Sequence, residues 1–253
     1  MGFIMVFDTE TTGLEKCFCY DIGYVIINTE SNELVKQAHY IVEQVWHNLP
    51  LFESAYYKDK RPDYITLMRS KLAIMDKWGY IMQAIRRDIK AFNITDAYAY
   101  NSTFDDKVLT YNCDWFRTMN PFDTVAIHDI WGYASAFITN TDEYKQFCEV
   151  NQRFTDTGNY SGSAESVYQY IQSKYDFIEK HMGLYDAQIE SNILLECIKR
   201  GAEWNHDYEV KKILKRQQIK PFTIKIDGVQ VIKGRYIKKY VKNDTYSFTT
   251  AEG

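Results

Sequence analysis

The sequence predicts one large domain of mixed strands and helices, built on a central strand covered on both faces. Three observations predict it. Phe3 to Phe7 is an unbroken apolar run, the pattern of a central strand buried on both sides. Two more strand-like segments follow it on short connections. Beyond them the apolar residues fall mostly at helical spacing.

In chain order, Phe3 to Phe7 is the first strand, Tyr20 to Asn28 the second and Leu34 to Val42 the third. Their short links predict an antiparallel meander. Pro62 to Phe92 reads as helical with a break near Gly79, since Ile81, Ala84, Ile85, Ile89 and Phe92 share a stripe. Asp96 to Tyr100 is a short strand, and Phe104 to Tyr111 a helix after it. Phe122 to Phe137 reads as an interrupted helix. Asn140 to Ser163 is polar and irregular. Ala164 to Phe177 and Tyr185 to Arg200 are two further helices. A charged helix is expected over Tyr208 to Gln218. Lys220 to Val241 alternates at period two around Asp227-Gly228, a hairpin signal.

The 253 residues are 45% hydrophobic and 25% charged, enough for a sizeable core. Charge is unevenly placed. Residues 1–204 carry 19 Lys and Arg against 29 Asp and Glu, a net of −10; residues 205–253 carry 11 against 5, a net of +6. The sequence therefore divides into an acidic body, 1–204, and a basic C-terminal extension, 205–253, of helix plus β-hairpin. The five cysteines form no paired clusters. Reduced thiols and a cytoplasmic location are expected. No apolar run is long enough for a membrane span.

Three stretches carry chemistry. Residues 8–13 read DTETTG. On a strand, Asp8 and Glu10 point to one face. Two carboxylates that close repel unless one is protonated or a cation lies between them. Hard divalent ions suit such oxygens, although a solvated strand end is the plainer account of the pair alone. Thr11, Thr12 and Gly13 add amides and hydroxyls suited to a phosphate or a sugar hydroxyl. Residues 101–109 read NSTFDDKVL. Asp105 and Asp106 stand in a helix's first turn, where acids also complement the helix dipole. Residues 181–187 read HMGLYDA. Asp186 lies on the apolar face of its helix with Glu190, Ile193 and Cys197, and a buried acid needs a partner or a metal. His181 sits in the loop before it.

Taken together and in this order, the stretches resemble the three motifs of the DEDDh 3'–5' exonucleases, a superfamily that includes the proofreading subunit of bacterial replicative polymerase, ribonuclease T and oligoribonuclease. The match covers roughly residues 3 to 200. It departs in a long segment, Trp131 to Ser163, and at Gly183, where the family often has Ala and where glycine would loosen the loop. The resemblance implies a ribonuclease-H-like α/β domain, a mixed five-stranded sheet with helices on both faces, with the fifth strand near Asn120 to Ala126. It implies that Asp8, Glu10, Asp105 and Asp186 hold two divalent ions, Mg²⁺ or Mn²⁺, about 3.5–4 Å apart. It implies that His181 is the general base toward an attacking water. Asp105 is favoured over Asp106 by its place after Phe104. Thr9, Thr11 and Leu14 would contact the terminal nucleotide, and Asn101 either orients its loop or contacts substrate. The substrate would be single-stranded DNA or RNA at its 3' end, with DNA favoured and RNA trimming the alternative. A retired, binding-only scaffold would lack an acid or the histidine, and all five are present. A proofreading role would require a polymerase on a separate chain. The basic extension would either contact phosphates or form a solvated hairpin.

Overall fold

The computed structural model describes residues 2–211 and 213, and the backbone of 220–226 and 229–236. Its centre is β1 (Phe3–Thr11), flanked by β2 (Cys19–Asn28) and β5 (Asp96–Ala99). The order across the sheet is β4-β3-β2-β1-β5-β6, with β3 at Leu34–Val42, β4 at Ile74–Asp76 and β6 at Ala126–Asp129. β1, β2 and β3 form the expected antiparallel meander, whereas β4, β5 and β6 each pair in parallel with their neighbours. The sheet is thus mixed and α/β, with six strands where five were expected.

The sixth strand is β4. The stretch read as one helix with a break at Gly79 is helix, strand, helix. It consists of α3 (Arg61–Arg69), then β4, then α4 (Trp78–Ala91). Lys71 in left-handed backbone turns the chain out of α3, and three residues pair along the edge of β3. A strand that short has no periodicity to read. The stretch from Phe122 likewise holds β6 and only then α6 (Ile130–Ala134), which runs into a π-helical turn over Ser135–Thr139.

Two short helices, α1 (Glu43–Trp46) and α2 (Leu49–Phe52), follow β3, and a 3₁₀ turn at Lys58–Lys60 precedes α3. α5 spans Ser102–Phe116, longer than expected. The segment read as irregular contains α7 (Asp142–Asn151), capped by the Thr141 hydroxyl. α8 (Ala164–Gln172) and α9 (Gly183–Lys199) complete the set.

Alternation along β1 sorts the core. Met5 and Phe7 pack with Trp78, Ile81 and Ile85 on one face of the sheet. Ile4 and Val6 pack with Ile189 and Ile193 of α9 on the other. Continuing that period of two, Asp8 and Glu10 leave the strand on the α9 side. All five cysteines are free and buried.

After α9, residues 204–211 cross the body. The Asn205 amide donates to the Tyr98 hydroxyl at 2.9 Å, and His128 lies 2.8 Å from both Asp96 and Asp207. Residues 208–211 and 213 are not helical, against expectation, and the rest of that stretch lies outside the described residues. β7 (Lys220–Ile226) and β8 (Val229–Tyr236) form the expected antiparallel hairpin, whose Asp227-Gly228 turn also lies outside them. Among the described residues, no helix is long and apolar enough to cross a membrane.

Candidate active site

The acids named by the three motifs meet at the C-terminal edge of β1. Asp8 and Glu10 come from the strand itself, Asp105 from the first turn of α5, and Asp186 from the first turn of α9. Asp105 and Asp186 are buried, as is Glu190 one turn further along α9. Glu10, His181 and Asp186 each offer one ligating atom within 4.8 Å of the others. Asp106, the competitor of Asp105, is exposed.

Several carboxyls so close and so dry cannot all be ionised without help. Burial is the first cause, and each other's charge the next. Asp8 is held well above the ordinary carboxyl range by burial, then by Glu190, Asp105, Asp186 and Glu10. Glu10 is raised by burial, then by Asp186 and Asp21. Asp186 is pushed to about 8 by burial and then Glu179, and Asp105 to about 7 by burial. Asp8 Oδ2 and Asp186 Oδ1 are buried with no hydrogen-bond partner among the described residues. Orphaned oxygens of this kind, in a cluster of like charge, are the donor set a hard divalent cation needs.

Local structure holds each acid in place. Beyond the point where β1 and β5 stop pairing, the Thr9 amide and hydroxyl both donate to Asp105 Oδ1, at 3.1 and 2.6 Å. Thr9 is thus spent on positioning Asp105 and is itself buried. The Met182 amide donates to Asp186 Oδ2 at 2.8 Å, the carboxylate reaching back across the start of α9. Asn101 adopts left-handed backbone at the start of α5. Its amide donates to Asp129 Oδ1 at 2.9 Å, an oxygen that also accepts from Trp131 N. The Thr11 hydroxyl donates to Gly13 O at 3.1 Å, and Leu14 stands 74% exposed beside the acids' strand.

His181 sits at φ +49°, a conformation unusual for a side chain of its size. The Tyr57 ring stacks on it with centroids 4.2 Å apart and planes within 11°. Lys60 donates to the Lys180 carbonyl and lies over the Tyr57 ring. His181 Nδ1 is 3.8 Å from Glu179 Oε2. Burial, with Lys60 beside it, lowers the imidazole below its ordinary value. The imidazole is therefore neutral, and able to accept a proton, at neutral pH.

Three features of the site escaped sequence reasoning. Asp21 of β2 is fully buried. It accepts from the Gly183 amide at 2.9 Å and the Tyr64 hydroxyl at 2.7 Å, and its other oxygen is 2.8 Å from His39 Nε2. It thereby fastens the start of α9 to the sheet. Gly183 does not loosen the loop. It starts α9 against β2, where a Cβ would meet Gly23 N at 2.6 Å and both Asp21 Oδ1 and Asp8 O at 3.0 Å. Glu190 accepts from the Tyr100 amide at 3.1 Å and adds a further buried acid to the cluster. Its place on the stripe with Asp186 was the one available signal.

No family profile matches the chain, and no curated protein matches it. Solved structures do. A 3'-exonuclease described in 3'-end-specific recognition of a histone mRNA stem-loop aligns with a TM-score of 0.56 at 12% identity, over 94% of this chain and 91% of its own. The chain has the fold of the 3'–5' exonucleases. Exonuclease I aligns with a TM-score of 0.52 at 14% identity over 79% of this chain, and its product-bound form with 0.51 at 12%. The chain spans only about 41% of exonuclease I's length.

Proposed function

We propose that this chain is a metal-dependent 3'–5' exonuclease that releases nucleoside monophosphates from single-stranded nucleic acid. One observation carries the proposal. Two buried carboxylate oxygens, on Asp8 and Asp186, have no hydrogen-bond partner among the described residues, inside a cluster to which three chain stretches contribute acids and a histidine. A bound cation would satisfy them, as acids crowded among like charges cannot satisfy one another.

Asp8, Glu10, Asp105 and Asp186 would hold the divalent ions, which supply Lewis-acid stabilisation of charge developing on the phosphate and leaving oxygens. His181 accepts the proton of the attacking water. Tyr57 stacks on its ring and limits where the imidazole can point. Thr9 keeps Asp105 turned inward, and Asp21 keeps α9, with Asp186, against the strand bearing Asp8. Leu14 and the Thr11 loop lie where the terminal nucleotide would pack. Residues 1–204 would carry the chemistry, and the basic extension from 205 would contribute phosphate contacts.

The test is cleavage of matched DNA and RNA oligonucleotides with Mg²⁺ or Mn²⁺, by the wild type and by Asp8→Ala. Loss of cleavage with retained binding supports the proposal; unchanged cleavage by Asp8→Ala refutes it. DNA is the favoured substrate. RNA is the second reading, drawn from the compared 3'-exonuclease and its histone mRNA stem-loop, and the rate ratio on the two oligonucleotides separates them.

A further inference from the structure

The helix that delivers Asp105 also presents an ordered aromatic face leading away from the acids. Lys107, Tyr111 and Trp115 stand four residues apart on α5, so they share one side of it. Tyr111 and Trp115 stack at 6.4 Å with planes within 18°. The Phe18 ring meets both edge-on, at 5.2 and 5.0 Å. Trp115 is nonetheless 62% exposed. It is held by its neighbours without being covered by them. Lys107 donates to the Leu14 carbonyl at 2.7 Å, joining this face to the exposed leucine beside the acids.

A groove of about 310 Å³ runs along the same face, lined among others by Lys16, Phe18, Gln44, Asn48, Tyr111 and Trp115. Among the described residues its lining includes a lysine and no acid. That absence stands out in a body whose net charge is −10 over residues 1–204. A polyanion with flat faces fits such a surface: phosphates avoid the acids, and bases stack on rings already in place. The ten helical steps from Asp105 to Trp115 span about 15 Å, room for nucleotides upstream of the scissile bond.

We infer that Tyr111 and Trp115 form a stacking track for upstream nucleotides of a single strand whose 3' end lies at the acids. The inference rests on the exonuclease reading and adds a length requirement to it. The test compares a dinucleotide with a twelve-nucleotide single strand, for the wild type, Trp115→Ala and Trp115→Phe, by steady-state cleavage and by anisotropy of the labelled longer strand. Trp115→Ala should raise KM and Kd for the longer strand about five- to a hundredfold and leave dinucleotide cleavage unchanged. Trp115→Phe should recover most of the loss. Equal effects on both lengths, no effect on either, or a Phe variant as weak as the Ala variant would each overturn the track. Absence of cleavage by the wild type would instead count against the exonuclease reading, and anisotropy would still decide the track.

Discussion

Removing one buried charge from the acid cluster should stabilise the protein when no divalent ion is present. Asp186→Asn is the sharpest case. The asparagine oxygen can still accept from the Met182 amide, so shape and the helix-start contact survive. The carboxyl moves from 3.8 to about 8 on folding, chiefly through burial. The folded state therefore holds the proton more tightly than the unfolded one. This contribution is intact below about pH 4 and is lost as pH rises through about 8. At about 1.4 kcal/mol per pH unit, fully ionising Asp186 costs the fold at most about 6 kcal/mol. The repulsion is shared with neighbouring acids, so one substitution should relieve about half of it, roughly 2–3 kcal/mol. For a domain of this size that corresponds to a Tm gain of about 5–10 °C. Differential scanning calorimetry in EDTA at pH 5 and pH 8 measures it. At pH 5 wild type and variant should melt together within about 2 °C; at pH 8 the variant should melt higher. Mn²⁺ should raise the wild type and leave the variant nearly unmoved. A variant destabilised equally at both pH values, or a wild-type Tm flat from pH 5 to 8 in EDTA, would refute the account of mutually repelling, cation-seeking carboxyls.

Other perturbations test the supports. His181→Ala should lower kcat by about 10²- to 10⁴-fold with little change in KM. The wild-type rate should rise with pH through a value below 6.5, because burial lowers the imidazole and only its neutral form accepts a proton; a kcat–pH profile checks both. Gly23→Ala would put a Cβ 1.9 Å from Leu184 N, backbone that cannot swing aside, and should cost about 3 kcal/mol in urea unfolding. Asp21→Ala leaves the Gly183 amide, the Tyr64 hydroxyl and His39 without their shared partner. It should cost about 3 kcal/mol or more and lower cleavage as well, since α9 is no longer pinned; lost stability without any loss of rate would disprove its positioning role.

Much of the site was legible because its signals are local. A strand's period of two puts Asp8 and Glu10 on one side whatever surrounds them. The place of Asp186 on an apolar stripe aims it inward before any packing is known, whereas Asp105 was told from Asp106 only by the motif that the resemblance supplied. The meander needs only short links, and α4 needs only its stripe. What stayed hidden depends on partners distant in the chain. β4 is a strand because the edge of β3 offers three residues a parallel ladder, and no pattern of Ile74, Met75 and Asp76 says so. Asp21 looks like a polar interruption in β2 until Gly183, Tyr64 and His39 arrive from three other elements. Tyr57 lies among loop residues with no period, yet it covers the imidazole. Gly183 reads as slack when taken singly and is a tight fit once Gly23 faces it. The sequence by itself thus determined which acids share a strand face or an inward helical stripe, since residue type and period act within a few positions. The tertiary structure alone decided what holds them together, because hydrogen bonds and steric contacts between segments scores of residues apart exist only after the sheet has formed.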